Sequence, residues 1–375
     1  MKKILICTAN YYISKYQVGS HNYARAFEKL GYEVAFISDP ISPLHKIFSN
    51  SDSLKEREEI YKKEGKQIKN IWYYVPKSYI TPQNKFLLSY KYIFDNWYKF
   101  CKVDIVKLLK KKNFLDVDIL WIESPLYEFM LDKVKYNKSI LRLADYSKGF
   151  NRSWDLFYKK EIVIANKVDR VVYSAKNIKN QYFEIENKSK MIYLPNGIDL
   201  SLVVKSDRSF PCEFDNIPKP RVIYIGMIED WFDIELVYKS ALILKNHSFI
   251  LIGNSNIDLS NLNKLANIFI LGSKPHNEIS KYLSHSDIGI IPFRRNDFVD
   301  SINPVKIYEY AAYGLKVVST QWKEIEDLKN YFSICKNDEE FICELKSDNR
   351  EDKSKIDKWL NDNDWKLKVK KAIEF

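Results

Sequence analysis

One stretch decides the fold, because it joins a helix with clear end signals to a buried strand: Asn303-Pro304-Val305-Lys306-Ile307-Tyr308-Glu309-Tyr310-Ala311-Ala312-Tyr313-Gly314-Leu315-Lys316-Val317-Val318-Ser319-Thr320. Asn303 is a good cap, Pro304 suits the first helical position, and Gly314 suits the C-terminal turn. The apolar run that follows predicts a strand over Lys316–Ser319. A helix that leads into such a strand is the repeating unit of parallel α/β sheets.

The first turn of this predicted helix has the charges that a nucleotide sugar requires. A helix N-terminus presents free N–H groups and partial positive charge, which attract a diphosphate, and Lys306 adds a full charge there. Glu309 follows three residues later on the same face, where its carboxylate can accept hydrogen bonds from two ribose hydroxyls. An ordinary surface Lys–Glu pair has the same spacing, so spacing alone leaves both interpretations open.

On both sides of this stretch, short apolar runs alternate with longer helical patterns, which is typical of strand–helix–strand units. The predicted strands are Lys3–Cys7, Glu33–Ser38, Ile71–Val75, Asp118–Ile122, Ile140–Ala144, Arg170–Tyr173, Arg221–Ile225, Phe249–Ile252, Ile268–Leu271, Asp287–Ile291 and Lys316–Ser319. The predicted helices are Ser20–Leu30, the segment 85–113, Ser153–Val168, Ile234–Leu244, His276–Leu283 and Pro304–Tyr313. The pattern predicts an α/β fold of two Rossmann-like domains that face each other across a cleft.

The domain break is predicted where Pro211, Pro218 and Pro220 interrupt the periodicity ahead of a new strand. We expect an N-terminal domain over residues 1–203, a nucleotide-sugar-binding domain over 204–352, and a C-terminal helix over 353–375 that packs back on the first domain. The 375 residues, 46% of them apolar, suffice for two cores. No apolar run approaches the roughly 20 residues that span a bilayer. The five scattered cysteines are typical of a reducing compartment, so we expect a cytoplasmic location.

Positive charge is concentrated in the first half of the chain. Residues 1–200 hold 35 Lys+Arg against 22 Asp+Glu, whereas residues 201–375 hold 25 against 27. The densest segment, 85–113, interleaves eight lysines with aromatic residues. It predicts either a helix on an anionic membrane surface or a long helix with its lysines in water. No nucleic-acid-binding motif accompanies the charge, so nucleic acid is not an expected partner.

Ligands of doubly wound sheets bind beyond the carboxyl ends of the strands. That rule singles out Ala9-Asn10, Glu123-Ser124, Asp145, Gly226-Met227, Gly253-Asn254, Gly272-Ser273 and Pro292-Phe293-Arg294. The sequence has neither a G-x-G-x-x-G motif nor a P-loop, which counts against a nicotinamide dehydrogenase and a kinase. The D-x-D spacings at Asp116/Asp118 and Asp362/Asp364 lie in a strand start and a charged tail, so no metal site is predicted.

The stretch from Asn303 to Thr320 resembles the C-terminal signature of GT-B glycosyltransferases, P-x-K-x-x-E-Y-x-A-x-G-x-x-V-V-S-T. Further matching pieces occur in the family's order: Leu194–Asp199, Tyr224–Asp233, Ile250–Gly253, Leu271-Gly272 and Ser286–Phe293. The resemblance implies that Lys306 contacts the donor diphosphate or sugar and that Glu309 contacts the ribose. The full set of donor-binding residues expected from it is Lys306, Glu309, Gly226, Met227, Gly272, Ser273, Phe293, Asn303 and Val305.

Retaining members of the family often have a second Glu eight residues before the first, and here that position is Ser301. This departure resembles a subgroup with capsule and xanthan-type glucuronosyltransferases, which invert the anomeric centre, so the stereochemistry stays open. An inverting transfer needs a carboxylate or His to accept the acceptor's proton. Asp145 lies where the subgroup has its base, and His21 and Glu123 are alternatives.

The first predicted helix opens with Gly19 and Ser20, where a glycine lets the chain approach a ligand closely. The resemblance implies a glycosyltransferase that moves a sugar from a UDP-linked donor to a lipid-linked or polysaccharide acceptor. Its place would be capsule, exopolysaccharide or lipopolysaccharide synthesis at the inner face of the cell membrane, with no metal or other cofactor. A non-hydrolysing UDP-sugar epimerase, which shares the fold, and a catalytically inactive glycan- or nucleotide-sugar-binding protein are the alternatives.

Overall fold

The computed structural model contains two compact units. It describes residues 1–14, 17–48, 52–83, 88–147, 155–350 and 352–375. Unit 1 comprises Met1–Pro195 together with Lys368–Phe375, and unit 2 comprises Asn196–Leu367. No described helix is long and apolar enough to cross a membrane.

Unit 1 is built on an eight-stranded sheet. Its described strands are β1 (Lys3–Thr8), β2 (Glu33–Ser38), β3 (Lys66–Ile68), β4 (Ile71–Tyr74), β5 (Asp116–Ile122), β6 (Lys135–Leu143), β7 (Arg170–Tyr173) and β8 (Met191–Tyr193). The strand order is β3-β4-β2-β1-β5-β6-β7-β8, parallel except that β3 is antiparallel to β4. Its described helices are α1 (Gly19–Lys29), α2 (Pro43–Phe48), α3 (Asp52–Lys62), α4 (Lys91–Asn96), α5 (Ile105–Lys111), α6 (Met130–Lys133), α7 (Asp155–Lys167) and α8 (Ile178–Gln181).

Unit 2 is built on a six-stranded parallel sheet. Its described strands are β9 (Arg221–Ile225), β10 (Ser248–Ile252), β11 (Ile268–Gly272), β12 (Ile288–Ile291), β13 (Lys316–Thr320) and β14 (Ser333–Cys335), in the order β11-β10-β9-β12-β13-β14. The remaining described helices are α9 (Leu200–Val204), α10 (Ile234–Ile243), α11 (Ile279–Ser284), α12 (Val305–Ala312), α13 (Asp338–Lys346), α14 (Lys353–Asp362) and α15 (Trp365–Ile373), the last of which ends in unit 1.

The local sequence explains these elements. The central strands are continuous apolar runs, as in β1, where Leu5, Ile6 and Cys7 are fully buried, because helices cover both faces of a parallel sheet. Side-chain caps set several helix starts: the Asp104 carboxylate accepts from the Val106 N–H at 2.9 Å ahead of α5. Each unit therefore has its own apolar core around its sheet.

The predicted α/β fold of two Rossmann-like domains is confirmed, and every predicted strand is present. Glu33–Ser38, Arg170–Tyr173 and Arg221–Ile225 match residue for residue. The sequence analysis missed β3, β8 and β14, which lie at sheet edges. Each has only three residues, too few for an alternating pattern to be recognised.

Two predicted helices were wrong in extent. The described part of the segment 85–113 contains α4, a short 3-10 turn and α5 rather than one helix, and residues 85–87 lie outside the described residues. The chain is interrupted because Cys101 pairs with Ser78 and Asp104 starts a new helix. The helix predicted over 353–375 breaks between α14 and α15, where Asp364 pairs with Ile198. The helix predicted over Ser153–Val168 corresponds to α7 (Asp155–Lys167). Residues 153–154 lie outside the described residues.

The unit boundary falls eight residues before the predicted one, after Pro195. Asn196 belongs to unit 2 because its backbone N–H donates to Asn303 Oδ1 and its side-chain amide donates to the Asn303 carbonyl, both at 2.9 Å. At the other end, only Lys368–Phe375 of the predicted C-terminal helix belongs to unit 1. There Lys138 Nζ donates to the Phe375 carbonyl at 2.7 Å, and the Arg170 guanidinium lies 3.9 Å from the Phe375 ring centroid.

Candidate functional site

The carboxyl edge of the unit 2 sheet holds the predicted lysine at its topological switch point. Strand order reverses between β9 and β12, the place where doubly wound sheets bind ligands. Helix α12 follows β12, and Lys306 lies in its first turn. The Lys306 ammonium lies 5.4 Å from the ring centroid of Tyr224 and 5.5 Å from that of Phe293. Attraction to the two rings holds the ammonium at this edge.

Two glycines make room for this lysine. Gly226 follows β9 with a φ of +148°, a conformation that favours glycine. A Cβ at Gly226 would lie 2.5 Å from Lys306 Cε and 2.7 Å from its Nζ. Gly253 follows β10 with a φ of +156°, and a Cβ there would overlap the Gly226 carbonyl. The Gly253 N–H donates to the Gly272 carbonyl at 3.0 Å, so the ends of β9, β10 and β11 are packed backbone against backbone.

Lys306 and Glu309 are two charged side chains of α12. Both side chains are half-buried, and neither forms a hydrogen bond or ion pair with a described residue. Burial lowers the pKa of Lys306, which Glu309 only partly opposes. Burial raises the pKa of Glu309 to about 7, against the effect of Lys306. An arrangement that keeps two such groups unpaired is costly unless a ligand supplies an anion for one and hydroxyl donors for the other.

Asn303 does not cap α12, in contrast to the prediction. The N-cap position is Pro304, and no side chain caps the helix. Asn303 is instead buried, and its Nδ2 donates to Glu324 Oε1 at 2.8 Å. The first helical residue is Val305, whose N–H has no acceptor within the helix. The helix end therefore keeps donors that can bind an anion.

The other predicted donor-binding residues lie along the same edge of unit 2. The Tyr224 hydroxyl donates to the Met227 carbonyl at 2.7 Å, which fixes the loop after β9. Phe293, just after β12, is buried, and its N–H donates to Thr320 Oγ1 at 3.0 Å. Ser273 follows Gly272 at the end of β11 and is exposed. Ser273 is therefore accessible from solvent at the end of β11.

The candidate base of unit 1 lies at the carboxyl edge of its own sheet. Asp145 follows β6, is exposed to solvent, and makes no hydrogen bond or ion pair with a described residue. Desolvation by the surrounding protein raises the pKa of Asp145 even though the side chain reaches solvent, and Arg142 partly opposes the shift. A carboxylate with a raised pKa is a better proton acceptor than an ordinary aspartate.

Glu123 has a different environment from Asp145. It is buried at the end of β5, where its Oε2 lies 3.4 Å from Arg142 Nη1 and its Oε1 accepts from Trp121 Nε1 at 2.9 Å. Burial lowers the pKa of Arg142, but Glu123 and other neighbours outweigh burial and hold the pKa of Arg142 above its ordinary value. Glu123 is therefore engaged in a buried ion pair, and the geometry favours Asp145 over Glu123 as the base.

His21 is fully buried on α1, and backbone groups contact both of its ring nitrogens. The Val18 N–H donates to His21 Nδ1 at 3.1 Å, so Nε2 carries the proton and donates to the Tyr11 carbonyl at 3.1 Å. This arrangement favours a structural role at the start of α1. Ser20 beside it is also buried, and a Cβ on Gly19 would lie 2.8 Å from Arg142 Cζ. Gly19 thus makes room for Arg142.

The sequence analysis missed two supporting residues. Arg142 pairs with Glu123 after β5, and its guanidinium lies 5.1 Å from the ring centroid of Tyr23 on α1. Its sequence signal was a charged residue inside a buried strand. Tyr310 on α12 accepts from the Ile225 N–H through its hydroxyl at 2.9 Å. Its ring packs so closely on Gly289 that a Cβ there would overlap Tyr310 Cδ2 and would lie 2.5 Å from Tyr310 Cγ. A glycine inside the apolar strand β12 was the available signal.

Comparison with protein families assigns the chain. Residues 6–174 match the model of the N-terminal domain of glucuronosyltransferase GumK, and residues 219–346 match the model of glycosyl transferases group 1. The chain belongs to the GT-B glycosyltransferases. The two matches correspond to the two units, so the suspected resemblance to the xanthan-type subgroup is confirmed. The enzyme class, glycosyltransferase, is confirmed with it.

Known proteins agree with this assignment. TuaH of Bacillus subtilis (strain 168), named as a teichuronic acid biosynthesis glycosyltransferase, is 28% identical to this glycosyltransferase over 101 residues. The match covers 26% of this chain, and the chain spans about a quarter of the length of that relative.

Solved structures show the same fold at low identity. Sucrose-phosphate synthase from Thermosynechococcus elongatus has a TM-score of 0.61 at 12% identity, covering 99% of this chain and 93% of that one. HepE of Anabaena, solved with UDP and glucose, has a TM-score of 0.57 at 12% identity. The match covers 100% of this chain and 93% of that one. A trehalose-6-phosphate structure from E. coli with UDP-2-fluoro glucose has a TM-score of 0.60 at 13% identity. The match covers 99% of this chain and 98% of that one.

Proposed function

We propose that this glycosyltransferase moves a sugar from a UDP-sugar to a lipid-linked saccharide in bacterial surface glycan synthesis, at the inner face of the cell membrane. The observation that carries the proposal is the unpaired Lys306 and Glu309 on α12, held next to Gly226. A diphosphate matches the lysine and the helix end, and a ribose diol matches the carboxylate. The family match favours transfer over the epimerase and the inactive binding protein.

The choice of UDP is supported by two structural relatives. The Anabaena protein is described with UDP and glucose, and the E. coli protein with UDP-2-fluoro glucose. The exposed Ser273, next to Gly272 at the end of β11, is proposed to contact the base. The donor sugar is not specified by these features.

Transfer is proposed to proceed by a single displacement that inverts the anomeric centre. The Asp145 carboxylate takes the proton of the acceptor hydroxyl as its oxygen bonds to the anomeric carbon. The bond from that carbon to the diphosphate breaks at the same time, and UDP leaves. Lys306 and the N–H groups at the start of α12 offset the charge that develops on the leaving diphosphate. No metal ion is assigned a role in this step.

Membrane contact is proposed for the described part of the basic segment, residues 88–113. Phe94 and Trp97 are buried in the core of unit 1, so they cannot be the aromatic anchors. Tyr90 and Tyr92 are 55% and 69% exposed and flank Lys91, whose side chain is 71% exposed. Exposed tyrosines next to lysine are suited to the interface of an anionic bilayer.

A thermal-shift panel tests the donor assignment. UDP, GDP, UDP-glucose, UDP-GlcNAc, UDP-glucuronate and UDP-galactose are added to wild type and to Lys306→Ala, because a ligand of the native state raises the melting temperature. We expect a shift with UDP ligands and not with GDP, lost in the variant. Loss of one charge-assisted contact costs about 1.5–3 kcal/mol, roughly 10- to 150-fold in affinity. A variant that shifts as much as wild type would contradict the role of Lys306.

A further inference from the structure

A buried carboxylate on α7 holds the chain just after the proposed base, Asp145. Glu161 is 8% exposed, and its Oε2 accepts from the Tyr182 hydroxyl at 2.7 Å and from Ser147 Oγ. Tyr182 is fully buried just after α8, and its hydroxyl lies 3.2 Å from Ser147 Oγ. Ser147 is two residues after Asp145. The mechanism proposed above uses none of these three side chains.

The residues on both sides of Asp145 are fixed by side-chain contacts. The carbonyl of Ala144, just before it, accepts from Ser174 Oγ. The ring of Tyr146, just after it, packs edge-on against the buried Tyr158 of α7 at a centroid distance of 6.1 Å. The Asp145 carboxylate itself makes no hydrogen bond or ion pair with a described residue. Its neighbours therefore set its position, while the carboxylate stays available to a ligand.

The charge of Glu161 is costly where it lies. Among the described residues, no lysine or arginine is within ion-pair distance of it. Burial raises the pKa of Glu161 to about 7, although the Ser147 and Tyr182 hydroxyls act in the opposite direction, and the charge of Asp145 adds to the increase. A neutral side chain could accept the same hydrogen bonds without a buried charge. A carboxylate, however, forms hydrogen bonds roughly twice as strong, so it holds Ser147 more firmly.

Glu161 is not placed to take the acceptor's proton itself. Its side chain is almost fully buried, and two hydroxyls already donate to its Oε2. Asp145, in contrast, is exposed. We infer that Glu161 is a positioning residue: through Ser147 it holds the Asp145 carboxylate at the carboxyl edge of β6, where the acceptor is proposed to bind. This inference rests on the proposed function, because Glu161 affects the reaction only through Asp145.

The test compares variants that break the network in different places. Glu161→Gln removes the charge, Ser147→Ala removes the hydroxyl, and Ser147→Thr keeps a hydroxyl at the same position. Glu184→Gln is the matched control, because Glu184 Oε1 accepts from the neighbouring Tyr158 hydroxyl at 3.1 Å rather than from Ser147. Asp145→Asn is the reference for loss of the base.

Three quantities are measured on the full chain. Turnover is followed as release of UDP from each UDP-sugar of the thermal-shift panel, with water as the acceptor. UDP affinity is measured by calorimetry. The heteronuclear NOE of the Asp145 amide does not depend on turnover, and it reports how firmly this part of the backbone is held on the picosecond-to-nanosecond timescale.

We expect Glu161→Gln and Ser147→Ala to lower kcat by roughly 10- to 100-fold, because a misplaced catalytic group slows the reaction without weakening donor binding. The KM for the UDP-sugar and the UDP affinity should stay within about twofold of wild type, and the NOE of the Asp145 amide should fall. Ser147→Thr and Glu184→Gln should behave as wild type does.

A double-mutant comparison separates positioning from a general structural role. In the Asp145→Asn background, Glu161→Gln should lower kcat by no more than about a further twofold, because the base that it positions is already absent. A loss of the same factor in both backgrounds would overturn the inference. So would wild-type turnover with an unchanged NOE in both Glu161→Gln and Ser147→Ala.

Failure of the proposed function has a different result. A wild type that binds no UDP, or an Asp145→Asn protein that keeps its turnover, would refute the proposed chemistry. In either case the NOE still decides whether Glu161 holds Asp145: a lower value in Glu161→Gln than in Glu184→Gln upholds the contact, and equal values refute it. The two ideas therefore fail separately.

Discussion

Replacing Gly226 with alanine separates backbone strain from the displacement of Lys306. The φ of +148° makes any side chain unfavourable there, at a cost of about 1–3 kcal/mol in unfolding free energy. The new Cβ would also lie 2.5 Å from Lys306 Cε. Because that atom is near the end of a flexible side chain, we expect Lys306 to rotate away rather than the backbone to move. The displaced ammonium then no longer reaches the donor diphosphate.

The expected loss of UDP-glucose affinity equals that of a missing charge-assisted contact, about 1.5–3 kcal/mol or roughly 10- to 150-fold. Gly314→Ala is the matched control, since Gly314 has a φ of +76° and open space around a Cβ. It should lose stability in urea unfolding and keep its affinity in calorimetric titration. In a Lys306→Ala background, Gly226→Ala should cost no further affinity. A folded Gly226→Ala protein that binds UDP-glucose within twofold of wild type would refute this reasoning.

Three further predictions concern the pH dependence of donor binding, the base and the membrane. Because the pKa of Glu309 is about 7 in the free protein and a ribose diol binds the carboxylate, UDP-glucose affinity should fall as the pH drops below 7. Glu309→Gln should abolish that dependence in calorimetry, and a persisting slope would assign it to another group. Asp145→Asn should lower kcat by about 10²- to 10⁴-fold with unchanged UDP affinity; retained turnover would exclude it as the base. Tyr92→Ala should reduce sedimentation with anionic vesicles without changing the melting temperature, whereas equal sedimentation would place the contact elsewhere.

What the sequence could predict depended on how local the signal was. Lys306 and Glu309 were found because a single helical turn relates them. The role of Asn303 was not found, because its hydrogen-bond partners Glu324 and Asn196 are 21 and 107 residues away in sequence. The same limit applies to the Arg142–Glu123 pair. Asn303 followed by Pro304 is a good local signal for a helix start. The side-chain amide of Asn303 instead hydrogen-bonds the distant residues Asn196 and Glu324.

The segment 85–113 shows the same limit for a long element. Its composition predicts one amphipathic helix, yet the pairing of Cys101 with Ser78 interrupts the helix. Composition also could not separate its aromatic rings: Trp97 is buried in the core, whereas Tyr92 is exposed. Which ring meets solvent depends on where the interrupted helices turn, and the sequence does not encode that locally.

The placement of Lys368–Phe375 in unit 1 has a consequence for synthesis of the chain. Unit 2 is one continuous segment and can complete its core as soon as Leu367 has been made. Unit 1 is discontinuous in sequence. Its last segment, Lys368–Phe375, must join the rest of unit 1 across the 196–367 insertion before Arg170 contacts Phe375. Closing this loop costs conformational entropy, and that cost grows only slowly with loop length. Unit 1, although it begins first in the sequence, is therefore expected to finish folding after unit 2.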